Sequence, residues 1–138
     1  MELVLDNNIL FSLMKPDSVN SYLFSSLKAE FLAPEFIKDE LENNKTECLL
    51  KSTLSEQEFE TRQAEVESNI RFFDSSKYSK FLKKSKEALS DPDDIDFLVL
   101  ALSKNAAIWS NDPHLKEQSL VPVYATSELI DKLLKGEF

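Results

Sequence analysis

Four acidic residues have the type and placement to do chemistry: Asp6, Glu40, Asp94 and Asp112. Asp6 ends the apolar run Leu3-Val4-Leu5, and Glu40 lies in Pro34-Glu35-Phe36-Ile37-Lys38-Asp39-Glu40-Leu41. Asp94 opens the stretch Ile95 to Leu102, and Asp112 follows Ile108-Trp109-Ser110. Carboxylates brought together repel one another by about 4 kcal/mol per pair at about 4 Å and an effective dielectric near 20. A divalent cation removes that penalty. An all-oxygen donor set selects Mg2+ or Mn2+ over zinc, and magnesium sites commonly combine a few carboxylates with waters and substrate phosphates. If the four acids converge, the chemistry they imply is hydrolysis of phosphate esters.

Three of the acids also have a plainer reading. Asp6 precedes Asn7-Asn8-Ile9-Leu10-Phe11-Ser12, where its carboxylate can cap a helix. Asp112 precedes Pro113 and Asp91 precedes Pro92, and an Asp before a Pro at the first helical position is a helix-start signal. Asp94, three residues after Asp91, can reach back as in a capping box. Capping does not account for Glu40. At 100° per residue, with Phe36 at about 0°, Ile37 falls near 100°, Leu41 near 140° and Glu40 near 40°, inside the apolar arc. A carboxylate turned toward a core needs a basic partner or a metal. On a helix running to Leu102, Asp94 shares the side of Leu98 and Ala101, whereas Asp93 and Asp96 lie nearer Ser103 and Lys104, so Asp94 is the inward acid of its group.

The elements that must position these residues follow from periodicity. Short apolar runs bounded by turn residues predict strands near 2–5, 30–33, 70–73, 107–110 and 121–124. Between them, helical spacing covers about 17–28, 34–46, 55–69, 76–89, 92–104, 113–118 and 126–135. This alternation implies an α/β fold with parallel strands joined by right-handed crossovers. Gly136 is the only glycine, so no glycine-rich phosphate loop exists.

With 138 residues and 42% hydrophobic content, the chain fits one domain over 1–138. No apolar run is long enough to span a bilayer and the N-terminus lacks a signal-peptide pattern, which places the expected location in the cytoplasm, away from membrane. Cys48 is the only cysteine and reads as a packed thiol. The net charge of −9 argues against broad nucleic-acid binding, but Ser75 to Lys86 carries five lysines and no acid. That run is either a solvated helix face or a local surface for a phosphate backbone, with Tyr78 and Phe81 among the lysines as weaker candidates for base contact. His114, the only histidine, reads as a surface residue. Trp109, Phe72, Phe73 and Phe97 read as packing.

In their order and spacing, the three segments around Asp6, Glu40 and Asp91 to Asp112 resemble the PIN-domain ribonucleases, which include the VapC-like toxins. The resemblance covers nearly the whole chain. It places the family's acids on Asp6, Glu40, Asp94 and Asp112, and its neighbouring Asn and small hydroxyl on Asn8 and Ser110. Position 7 departs, with Asn7 where Thr is usual, and Asp96 stands as a fifth, peripheral acid. The resemblance implies a PIN-like three-layer fold, its five-stranded parallel sheet in the order 3-2-1-4-5 flanked by helices. It also implies an endoribonuclease dependent on Mg2+ or Mn2+, with RNA as substrate, a homodimer, and a role as the toxin of a pair with an antitoxin protein. Asp6, Asp94, Asp112 and Glu40 would then be both the metal-binding and the catalytic residues, with Asn8, Ser110 and Asp96 assisting at substrate or behind the ligands.

The competing reading is a non-catalytic PIN-like module that binds RNA or protein, its acids surviving as caps. A phosphatase of the haloacid-dehalogenase type needs a second Asp two residues after the first, where this chain has Asn8. A phosphoryl-receiver domain needs paired acids after its first strand, and Asn7-Asn8 do not supply them.

Overall fold

The apolar runs form five strands: β1 (Glu2–Leu5), β2 (Glu30–Pro34), β3 (Ile70–Phe73), β4 (Ala107–Trp109) and β5 (Val123–Tyr124). A computed structural model of the chain describes residues 1–77, 79–89 and 91–137, so Tyr78, named above beside the lysines, lies outside the described residues. All pairings are parallel and the order is β3-β2-β1-β4-β5. The central strand β1 pairs Val4 with Leu32 on one side and with Ile108 on the other. Leu3, Val4 and Leu5 are wholly buried, which is why this strand reads as a continuous apolar run rather than an alternating one.

Among the described residues there are eight α-helices, seven between the strands and one after β5: α1 (Asn7–Leu13), α2 (Val19–Ser26), α3 (Ile37–Asn43), α4 (Lys45–Ser52), α5 (Glu56–Ser68), α6 (Leu82–Ala88), α7 (Ile95–Lys104) and α8 (Thr126–Leu134). From β1 to β3 the chain steps in one direction across the sheet, and from β3 to β5 in the other. Right-handed crossovers therefore place α1 to α5 on one face and α6 and α7 on the opposite face. The apolar helix α7 packs across β1, β2 and β4. The direction reverses between β1 and β4. In an open parallel sheet, the crevice beyond the carboxyl ends at that reversal is the place for a ligand.

Several boundaries differ from the sequence reading for local reasons. The helix expected over 34–46 divides into α3 and α4 at Asn44, whose backbone leaves helical geometry at φ −111° and ψ 14° and whose side-chain amide donates to the Glu40 carbonyl at 2.8 Å. The segment expected to be helical over 76–89 begins as two short 3₁₀ turns before α6. Its entry is held by Asp74, which accepts the Ser76 N–H at 3.0 Å. The helix expected over 113–118 is a 3₁₀ turn, Pro113–Glu117. The Cys48 thiol is buried as expected. No helix among the described residues is long and apolar enough to cross a membrane.

Candidate active site

Strand register brings the first pair of groups together. Leu5 pairs with Trp109, so the next residues along, Asp6 and Ser110, leave the sheet side by side at its carboxyl edge. The buried indole of Trp109, the last residue of β4, lies just before this edge. Asp6 is the N-cap of α1, one oxygen accepting the Ile9 N–H at 2.9 Å. Its other oxygen accepts the Ser110 hydroxyl proton, and the same Ser110 oxygen accepts the Asp112 N–H at 3.0 Å. One serine hydroxyl thus links the acid after β1 to the acid after β4. Burial pushes the Asp6 carboxyl above its ordinary range; the bonds from Ser110 and Ile9 oppose that shift and the nearby Asp112 charge adds to it.

Asp94 arrives from the other face of the sheet. It ends the 3₁₀ turn Pro92–Asp94 and occupies the N-cap position of α7, yet its side chain makes no capping bond. The residue is 7% exposed, and its Oδ2 is a buried oxygen with no hydrogen-bond partner among the described residues. Such an atom is costly unless something positive meets it. Desolvation raises the Asp94 carboxyl to about 6, reinforced by the charges of Asp112, Asp91 and Asp6, while His114 acts in the opposite direction. Asp94 thus feels the charges of both Asp112 and Asp6.

Two residues that sequence reasoning set aside belong to it. Asp91, Asp94 and His114 each offer one ligand atom, and these atoms lie within 4.8 Å of one another. Asp112 accepts the backbone N–H of His114 at 2.9 Å and lies 3.2 Å from its Nδ1. The available signal was the Asp112-Pro113-His114 turn itself: a residue two positions after a capping Asp is folded back toward that Asp.

The remaining candidates stand farther out. Glu40 is half-buried in the first turn of α3, its carboxylate takes no hydrogen bond among the described residues, and it is absent from the charges acting on Asp6 and Asp94. Its backbone N–H bonds to Phe36, whose ring meets Phe97 at 5.7 Å, one turn into the helix that Asp94 begins. Asn8 is exposed on α1 and lines a depression of about 380 Å³ shared with Asn44 and Cys48. Asp96 opens on a different depression with Glu35, Lys38 and Asp74, and burial raises its carboxyl.

The donor set fits a divalent cation. Asp6 and Asp112 are joined through Ser110, Asp94 brings a buried oxygen without a partner and ligand atoms within 4.8 Å of Asp91 and His114, and among the described residues no lysine or arginine is among the charges that act on Asp6 or Asp94. Comparison with known proteins agrees with the architecture. The PIN domain pattern matches residues 4–128. The chain belongs to the PIN domain family, whose members are typically metal-dependent nucleases. Among solved structures it is similar to a chain of VapBC2 from Rickettsia felis, determined bound to a DNA fragment from their promoter, at 14% identity and a TM-score of 0.62 over 91% of this chain and 98% of that one. No curated protein matches the sequence.

Proposed function

We propose that this protein is a cytoplasmic endoribonuclease dependent on Mg2+ or Mn2+, and the toxin of a pair whose partner is an antitoxin protein. The observation that carries the nuclease reading is the buried, unpartnered oxygen of Asp94, on a carboxyl that feels the charges of Asp112 and Asp6. The partner is inferred from the likeness to VapBC2, and a homodimeric state is carried over from the resemblance to the PIN-domain ribonucleases.

Asp6, Asp94 and Asp112 would hold the cation, with Glu40 as the fourth acid, carried by α3 at the same end of the sheet. When bound, the ion supplies positive charge that polarises a phosphodiester and makes a water acidic enough to attack it. The protein's own groups set the geometry. Ser110 holds one oxygen of Asp6 and, through the Asp112 N–H, fixes the distance between the loops after β1 and β4. The Ile9 N–H holds the other Asp6 oxygen, so that carboxylate cannot swing away. Asn8, on the exposed side of α1, is placed to meet substrate, and Asp96 remains a peripheral acid. RNA as the substrate class is supported by Lys80, Lys83, Lys84 and Lys86, exposed on the turn and helix that pack against α7.

Purified protein should cut single-stranded RNA with Mg2+ or Mn2+ and not in excess chelator. Asp6→Asn and Asp94→Asn should each lower the rate by at least about a hundredfold while leaving the circular dichroism spectrum unchanged. RNA left intact by folded wild-type protein with either ion would reject the nuclease reading. Retained function in Asp6→Asn would favour the binding module, in which Asp6 and Asp112 serve only as the helix caps that they also form.

A further inference from the structure

His114 and Asp91 carry chemistry that the four-acid account does not use. A histidine that ligates a metal almost always has its second ring nitrogen held by a carboxylate, a carbonyl or water, which fixes the tautomer and aims the free nitrogen. Asp112 occupies that position here: its Oδ1 lies 3.2 Å from His114 Nδ1 and also takes the His114 backbone N–H at 2.9 Å. With its proton on Nδ1, the nitrogen that faces Asp112, the ring leaves the Nε2 lone pair free. The Asp91, Asp94 and His114 ligand atoms already lie within 4.8 Å of one another, so modest side-chain movement closes them around an ion. The independent sign that something belongs there is Asp94, nine-tenths buried with an oxygen that no group in the described protein satisfies.

We infer that His114 and Asp91 join Asp94 in a mixed nitrogen and oxygen site for a divalent cation, with Asp112 holding the imidazole from behind. Imidazole favours borderline transition ions, whereas Mg2+ takes oxygen donors almost exclusively, so this site prefers Mn2+ or Zn2+ to Mg2+. The inference rests on the nuclease reading for the use of the ion; binding itself needs no RNA. The opposing account makes His114 a counter-cation that softens repulsion among Asp91, Asp94 and Asp112. The two accounts differ in sign. Removing a ligand weakens metal binding, whereas removing a resident positive charge from an acidic cluster strengthens it.

The test is calorimetric titration of the full chain, without RNA, with MnCl2 and separately with MgCl2, for wild type, His114→Gln and Asp91→Asn. Wild type should bind Mn2+ more tightly than Mg2+, and His114→Gln should lose about tenfold or more in Mn2+ affinity and much less for Mg2+. Asp91→Asn should weaken both ions. Because His114 is the only histidine, its ring nitrogens can be followed in the unmodified protein by nitrogen-15 spectroscopy during titration with ZnCl2. The Nε2 resonance should move by the amount that marks coordination while Nδ1 stays protonated. Mn2+ affinity that is unchanged or tighter in His114→Gln, or an Nε2 resonance unmoved by Zn2+, overturns the inference. RNA left uncut by protein that binds Mn2+ through His114 would instead reject the nuclease reading and leave this site standing.

Discussion

At the scale of single residues, the contrast between Asp94 and its neighbours decides what the cluster is for. Asp6 has both oxygens engaged and Asp112 takes two contacts from His114, but Asp94 Oδ2 has none among the described residues. Without a cation, the fold therefore favours the protonated form of Asp94, whose carboxyl rises from 3.8 to about 6. A native state that binds more protons than the unfolded chain loses stability as pH rises. In excess chelator, the contribution from Asp94 should be fully present below about pH 4 and be lost by about pH 6, and Asp6, shifted the same way, adds to that slope. Urea titrations across this range should show the decline in wild type, a smaller one in Asp94→Asn, and its reversal when Mn2+ is added. A slope identical in wild type and Asp94→Asn would mean that Asp94 is not the group that feels the burial. Helical arithmetic had assigned the inward, partnerless role to Glu40. Phe36 is indeed in helical register with it, at φ −61° and ψ −20° and with its carbonyl accepting the Glu40 N–H at 3.2 Å, but Glu40 lies in the first turn of α3 and is half-buried rather than enclosed. His114 is exposed, as its reading as a surface residue expects, but its nearness to Asp91 and Asp94, some twenty residues away in sequence, was illegible because periodicity carries no record of tertiary neighbours.

At the scale of elements, the site is an alignment of three chain ends: the end of β1, the end of β4 and the beginning of α7. The strands were legible because each is a run of buried apolar residues too short to be a helix, and the order of acids along the chain followed from that. Helix boundaries were less legible, because they turn on single side-chain bonds such as Asn44 to the Glu40 carbonyl and Asp74 to the Ser76 N–H. A cation held between Asp94, at the start of α7, and the Pro113–Glu117 turn would tie those two elements together. Amide hydrogen exchange should record this as local protection. On adding Mn2+, amides of residues 94–98 and 112–116 should exchange more slowly, while those in the middle of α5, far along the sheet, keep their rates. Uniform slowing everywhere would indicate a general effect of the salt on stability, and no slowing at α7 would remove Asp94 from the ligand set.

For the whole molecule the difficulty is charge. A chain with 25 acidic and 16 basic residues repels a polyanion, and its cluster of carboxylates adds to the repulsion at the place where a phosphodiester must arrive. Ser85 is wholly buried against the body of the protein; at about 100° per residue, Lys83, Lys84 and Lys86 fall on the opposite, outward arc of α6, with Glu87 among them. Among the described residues none of these three lysines is in an ion pair, so all three are free to replace the counterions of a phosphate backbone. Helix α6 packs on α7 and leads through the Pro92–Asp94 turn into Asp94, so a strand lying along the lysines has its next phosphates near the acids. If three lysines carry the electrostatic part of binding, the logarithm of affinity for single-stranded RNA should fall with the logarithm of salt at a slope of about −2. Fluorescence anisotropy in the Asp94→Asn background, where cleavage is blocked, would measure it. Replacing Lys83, Lys84 and Lys86 together by Glu should flatten the slope toward zero and weaken binding most at low salt, where Coulombic attraction is least screened. A slope unchanged by the triple substitution would place the phosphate contacts elsewhere on the surface and leave the lysine run as a solvated helix face.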